Sequence, residues 1–417
     1  MSIHCHTFDN GLQLIAEPMS WLESVAFTFL VPAGAVYDPP ARAGLSNMTC
    51  ELALRGCGGR DSRQFVEALE SLGVESGESV GVSHTTYRGA TLAKNLAPAL
   101  AIYADLLRDA AIPEDELELA RDVAVQELCS IEDEPAQRMM IELRRGHYPD
   151  PWGRPHQGDS AGLQAITIDD VRQHYAANYR PRGAILGVAG RFDWDELLST
   201  IEEHLADWSP TDQVEPDEGQ LQIARQHIDH ESNQTHIGIA YPSVPYDHDD
   251  YFQAWGAVGV LSDGSSSRLF TEVREKRGLC YSVSASTRSL RRHGSVFCYA
   301  GTTADRAQET VDVMLDELQK LGDGIDAVEL SRLKARMKSS LIMAQESSSA
   351  RSGALARDWY YLNRARPLEE IGTKVDELTP DSINAYLANN RPSEFSLVTL
   401  GSKPLELPVG ISQASAG

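Results

Sequence analysis

The sequence predicts an α+β protein made of two homologous halves, each with helices packed on one side of an antiparallel-type sheet. Three observations carry this. Two pairs of long segments echo each other at a spacing of about 210 residues, too long for a solenoid repeat and right for a duplicated domain. A stretch without helical or strand periodicity, "ADWSPTDQVEPDEGQ" at 206–220, divides the chain almost in half and reads as a linker. Strand-like stretches begin and end each half, with helices interspersed but no strict βαβ rhythm. The expected boundaries are therefore 1–208, a linker at 209–221, and 222–417.

The elements follow in order. "QLIAEP" and "VAFTFLVPAG" read as strands of the first half, and "THIGIAYP", "CYSVSAST" and "SVFCYAGTT" as strands of the second. The first echo pairs residues 166–190, "ITIDDVRQHYAANYRPRGAILGVAG", with 378–401, "LTPDSINAYLANNRPSEFSLVTLG". Each copy has a Thr placed to cap a helix, a Tyr-bearing helix, an Arg-Pro break and an apolar strand ending at Gly. The second echo pairs 89–128 with 300–341. Both copies carry a helix with apolar residues at 3–4 spacing, a short break, and a second helix opening on acidic residues.

Composition sets limits. With 417 residues, 42% hydrophobic and 24% charged, the chain is an ordinary folded protein. No apolar run approaches the ~20 residues needed to span a bilayer. The N-terminus lacks a basic segment followed by an apolar one, so the cytoplasm is the expected compartment. Six cysteines without a C-x-x-C pair point to reduced, mostly buried thiols. A net charge of −24 argues against nucleic acid, whose phosphates it repels, and fits either plain solubility or attraction for cationic peptides.

In "GLSNMTCELALRGCGG", Asn47, Cys50 and Glu51 stand at i, i+3 and i+4, so a helix places all three on one face. An H-x-x-E-H helix uses that spacing to present two imidazoles to zinc and a carboxylate to the attacking water. Together with "FDNGLQLIAEP", "HYPDPWGRPHQGD", "VRQHYAANYRPRGAILGVAGRFD" and "SSSRLFTEVREKRGLCYSV", this stretch resembles the pitrilysin (insulinase) family of metallopeptidases. The likeness is to the half-length, mitochondrial-processing-peptidase-like branch. It implies two α/β-roll domains forming half of a clamshell chamber.

The resemblance places the family's first His on Asn47, its general-base Glu on Cys50 and its second His on Glu51. It places a further acidic ligand on Gln126 of "VAVQEL". None of the four is retained, and donor chemistry agrees. Amides are weak neutral donors, and one Cys with one Glu falls short of the three ligands a catalytic zinc uses. Taken alone, Cys50 reads as a small buried apolar residue and Glu51 as a locally paired or solvated charge. The expectation is no metal and no cofactor in this chain.

"SRLFTEVREKRGLCYSV" at 267–283 keeps the family's second signature, with Arg274 and Tyr281 seven positions apart. Locally it is a helix with basic residues at its C-terminal end, Gly278 as the residue that turns the chain, and a strand opening at Tyr281. Alone, this is an ordinary helix terminus followed by a strand aromatic. The resemblance implies that the Tyr hydroxyl and Arg guanidinium donate hydrogen bonds to the scissile carbonyl and its oxyanion. The chain then lends Arg274 and Tyr281 to a zinc-bearing partner subunit of the same family, in a heterodimer that encloses peptide substrates, basic ones if the negative charge lines the chamber. Two alternatives stay open: a scaffold subunit with no part in proteolysis, and a homodimer that binds peptides without cutting them. Where the family often has Asn-Ala on its substrate-pairing edge strand, this chain has Gly77 and Glu78. The short "SDGSSSR" at 262–268 is no long glycine-rich loop of the mitochondrial non-catalytic subunit.

Two further motifs are weighed. "GESVG" at 77–81 matches G-x-S-x-G and would make Ser79 a nucleophile, but the elbow needs a strand before it and a helix after, and the expected order is reversed. "HCH" at 4–6 puts two imidazoles on one side of a strand, too few ligands for a structural site.

Overall fold

The computed structural model describes residues 3–406 apart from 210 and 213. In chain order the strands and helices are β1 (His4–Thr7), β2 (Gln13–Pro18), β3 (Ser24–Val31), α1 (Leu45–Ala53), α2 (Ser62–Ser71), β4 (Glu75–Val80), β5 (Thr85–Leu92), α3 (Leu96–Arg108), α4 (Leu117–Glu132), α5 (Pro135–His147), α6 (Ser160–Ala165), α7 (Ile168–Asn178), β6 (Ile185–Gly190) and α8 (Trp194–Leu205). The second half continues with β7 (Arg225–Asp229), β8 (Gln234–Ser243), α9 (Tyr251–Ser262), β9 (Cys280–Ser289), β10 (Gly294–Thr303), α10 (Ala307–Leu321), α11 (Ala327–Ala344), α12 (Ser348–Leu362), α13 (Leu368–Glu377), α14 (Pro380–Asn389) and β11 (Ser396–Gly401).

The echo in sequence is an echo in topology. One sheet has the order β1-β2-β6-β3-β5-β4 and the other β7-β11-β8-β10-β9, the same arrangement with β1 added at one edge. Each sheet is antiparallel except for one parallel pair, β2 with β6 and β7 with β11. The repeated Thr caps are present: Thr167 and Thr379 each close a capping box at the start of α7 and α14, and β6 and β11 follow as fully buried strands.

Two compact units result. The first takes residues 1–130, 154–217 and 342–368; the second takes 131–153, 218–341 and 369–417. One of the crossings from the first unit to the second falls between Asp217 and Glu218, and another falls between Ser130 and Ile131. A straight cut at the linker is not how the units are built, however, because each takes a helix from the other half of the sequence. The reason lies in the sheets, which bury both faces. In the first unit, Leu14, Phe27, Phe29, Leu186 and Val188 face α3 and α8, while Ile15, Ile185 and Ala189 face the other way and are covered by Leu355, Ala356 and Tyr360 of α12. Gly187 lets that helix close on the sheet, since a Cβ there would lie 2.3 Å from the Ser352 carbonyl oxygen. Arg351, 1% exposed, pairs with buried Glu17 of β2 and donates at 2.8 Å to the Arg366 carbonyl.

In the second unit α5 plays the same part. Gly238 of β8 makes room for Met139, and buried His147 bridges two strands, Nε2 lying 2.9 Å from Ser295 Oγ and Nδ1 3.1 Å from Ser396 Oγ. The opposite face of that sheet packs on α9, α10 and α14. Helices therefore line one side of each sheet as expected, with a single exchanged helix on the other.

Candidate functional sites

The motif helix α1 begins at Gly44, whose φ of +94° suits a residue without Cβ. Its first amides are satisfied from outside the helix. The Asp38 carboxylate accepts from the N–H of Gly44 (3.0 Å) and of Ser46 (2.9 Å), and from the Ser46 hydroxyl. Burial nonetheless pushes the Asp38 carboxyl up to about 7. On the far side of Ser46, His174 of α7 lies 3.5 Å away and is held neutral, pushed down to about 4 by burial. The helix is thus seated on a buried polar network, which fixes the direction of its exposed face.

On that face the structure brings Asn47, Cys50 and Glu51 to the wall of a cavity of about 280 Å³, opposite α4 and β4. The residue α4 presents is Glu127: the Asn47 amide donates to Glu127 Oε2 at 3.0 Å. Gln126, the position singled out from the sequence, is not among the residues lining the cavity. Neighbouring helical residues point ~100° apart, so only one of the two can face α1.

The other donors are engaged. Glu51 is paired with Arg55 one turn on, and Arg55 also reaches Glu116 at 3.3 Å. Cys50 is 3% exposed, and the hydroxyl of Tyr87 donates to its sulfur at 3.6 Å. Burial pushes its thiol up to about 12, with the charges of Glu78 and Glu51 adding to the effect and the Tyr87 hydrogen bond opposing it. Burial, and then the charge of Glu51, likewise raise the Glu78 carboxyl on the edge strand β4.

A catalytic zinc takes three ligands from imidazole, thiolate and carboxylate. Here one amide is bonded to Glu127, one thiol stays protonated in the core and the Glu51 carboxylate is held by a guanidinium. Glu78, Glu127 and His156 also line the cavity without gathering into a ligand set. This donor set does not fit that metal. Among the described residues no group of three His, Cys, Asp or Glu side chains is arranged to hold one.

Ser79 also lines the cavity, but it sits on β4 and is followed by β5, so the strand-to-helix elbow is missing. His4 stacks on Trp194 and His6 meets Phe8 edge-on, ordinary aromatic packing.

The second cluster belongs to the other unit. The segment Phe270–Glu275 is a π-helical turn where the sequence predicts plain α-helix, with Lys276 N–H bonded to Thr271 O at 2.9 Å. Such turns recur at functional sites. Gly278 turns the chain with φ +57°, as expected of a C′ glycine. Arg306 then fixes the turn by donating to the carbonyls of Arg277 (2.7 Å) and Gly278 (2.6 Å).

β9 leaves as the edge strand of its sheet. Its register against β10 shifts here: Gly301 faces Ser282 and Thr302 faces Cys280, so Tyr281 is the extra residue of a bulge. Bulges re-aim side chains, and Tyr281 is 84% exposed beside two buried neighbours, Leu279 and Cys280. The Arg274 guanidinium lies over its ring, 4.8 Å from the centroid. Arg274 and Tyr281 are thus together. They lie in a different unit from Asn47, Cys50, Glu51 and Glu127, and each cluster stands as its own site.

The duplicated chain carries an Arg–Tyr pair in one unit and, in the other, a motif helix whose polar side chains are engaged. Family comparison makes the class specific. Residues 20–153 match the model "Insulinase (Peptidase family M16)", and residues 165–337 match "Peptidase M16 inactive domain". The chain belongs to the M16 peptidase family, as a half-length member. It is similar to an "Uncharacterized zinc protease" of Rickettsia felis, 25% identical over 392 residues, 94% of either chain. In fold it is similar to a peptidase M16 inactive domain from Pseudomonas fluorescens (TM-score 0.88, 20% identity, covering 98% of this chain and 100% of that one). It is similar also to a chain of Complex III2 from Candida albicans (TM-score 0.81, 16% identity, 96% of each).

Proposed function

We propose that this chain is the catalytically incomplete subunit of a heterodimeric zinc endopeptidase, lending Arg274 and Tyr281 to the active site of a zinc-bearing partner of its own family. The observation that carries the reading is Tyr281, an aromatic 84% exposed on an edge-strand bulge with a guanidinium stacked on it. Tyr281 is not held there by core packing, and its hydroxyl is free to meet a peptide carbonyl. The partner supplies the metal and its activated water, and this chain binds neither zinc nor any other cofactor. Its own part is to donate two hydrogen bonds, from the Tyr281 hydroxyl and the Arg274 guanidinium, to the carbonyl of the peptide under attack. One fixed donor of this kind is worth ~10²–10³ in rate. Substrates are peptides, basic ones where the negative surface meets them.

The proposed compartment is the cytoplasm, in keeping with six free thiols. No helix among the described residues is long and apolar enough to cross a membrane.

The spent donors of α1 suit a scaffold subunit equally well. The exposure of the Arg274–Tyr281 pair favours the proteolytic reading over it. The test is Tyr281→Phe in the complex assembled with the partner that carries H-x-x-E-H. Turnover of a quenched-fluorescence peptide should fall ~10²-fold with the complex intact. Unchanged turnover assigns the chain to the scaffold reading.

A further inference from the structure

We propose that Phe270 is the positioning residue that holds Arg274 in place, making Arg274 and Tyr281 one rigid pair of donors; the inference rests on the role given to that pair above. The guanidinium carbon of Arg274 lies 4.7 Å from the centroid of the Phe270 ring and 4.8 Å from that of Tyr281. One cation is held between two aromatic faces.

What holds the guanidinium matters for what it can still do. A carboxylate partner would fix an arginine by taking its N–H donors and cancelling its charge. Among the described residues no carboxylate pairs with Arg274, and the nearby Glu272 is taken by Lys276 (2.6 Å) and Arg277 (2.7 Å). Aromatic faces fix the cation through its plane instead, leaving the charge in place and the N–H groups at the rim free to donate. An arginine on a flexible stem must otherwise be ordered when substrate arrives, at a cost in side-chain entropy. The sandwich orders it beforehand.

The two walls differ in the way such a device requires. Phe270 is half-buried and opens the π-helical turn, in the same segment as the fully buried Leu269 and Val273. It is the fixed wall. Tyr281 is the outer wall, brought over the guanidinium by the bulge and by the anchored turn: Arg306 holds the carbonyls of residues 277 and 278, and the Thr302 hydroxyl donates to that of Leu279 at 2.6 Å. The widened π turn and the bulge are two local irregularities, and both serve to bring rings and cation together.

The test compares Phe270→Leu, which keeps apolar bulk and removes the π face, with Phe270→Tyr, which keeps the ring. In the isolated full chain, NMR of arginine-labelled protein should show the Arg274 Hδ and Hε signals displaced by ring current. F270L loses about half that displacement, one ring of two, while F270Y restores it. In the complex with the zinc-bearing partner, F270L lowers kcat about tenfold to a hundredfold with KM nearly unchanged, the cost of a donor misplaced by about an ångström, and F270Y rescues it. Unaltered Arg274 signals in F270L overturn the inference whatever the activity. Altered signals with unaltered kcat overturn its catalytic part. If F270L does not fold, Phe270→Met carries the same comparison. A complex with no peptidase activity in any form defeats the proposed function, while the Arg274 signals still decide whether Phe270 holds the guanidinium.

Discussion

The exchanged helix α5 should make the second unit sensitive to mild acid through one residue. His147 is 1% exposed, and its two ring nitrogens lie against Ser295 and Ser396 on two strands of the sheet. Burial pushes its pKa down to about 4 from the ordinary 6.5, and the neighbouring His293 adds to the fall. The native chain therefore refuses a proton that the unfolded chain accepts. Stability from this group is whole above pH 6.5, falls as pH drops through 6.5, and is fully lost near pH 4. At ~1.4 kcal/mol per pH unit across the window, the loss is about 2 kcal/mol between pH 7 and pH 5 and about 3 kcal/mol in all. His174, also near 4, titrates in the same window in the first unit, so wild type alone does not isolate the effect. His147→Gln does. The variant loses ~1–3 kcal/mol at pH 7 from its disturbed hydrogen bonds. On going to pH 5, however, it should lose about 2 kcal/mol less than wild type. Urea unfolding at both pH values, with hydrogen exchange at β8 and β11 amides to localise the change, provides the four numbers. Equal falls in the two proteins would refute the argument.

Two further outcomes follow from the first unit. The triple change N47H/C50E/E51H rebuilds an H-x-x-E-H helix facing Glu127, so the dialysed variant should carry stoichiometric zinc by plasma mass spectrometry and lose it again when Glu127→Gln is added. Zinc at the level of the parent chain would show that Glu127 is not placed to complete the set. Glu17→Ala strands the buried Arg351 guanidinium beneath the first sheet and should cost ~3–5 kcal/mol in urea unfolding, with a loss under ~1 kcal/mol contradicting that reading.

Much of this was legible in the sequence because it depends on local rules. Thr167 and Thr379 cap their helices as their spacing to the next acceptor requires, Gly278 turns the chain, and Cys50 is the buried hydrophobe its chemistry suggests. Glu51 finds its partner within one turn. The exchange of α5 and α12 was not legible, since an amphipathic face announces that it will be buried and not against which sheet. The rotation of α4 was not legible either: the family resemblance points to Gln126, while the Asn47 amide bonds its neighbour Glu127. The π-helical turn escaped for a related reason: its residues are good helix formers, and the wider turn is set by the tertiary contacts of Phe270, Arg274 and Tyr281.

Complementation between two chains is the central claim, and the mixing experiment meets it most directly. This chain and any H-x-x-E-H chain found to co-purify with it are separated, assayed alone against a peptide library, and then recombined. The account predicts that this chain alone is inert, that activity returns on mixing, and that a chelator abolishes it. Chelator-sensitive hydrolysis by this chain alone, or a mixture whose rate is untouched by Tyr281→Phe, would contradict it.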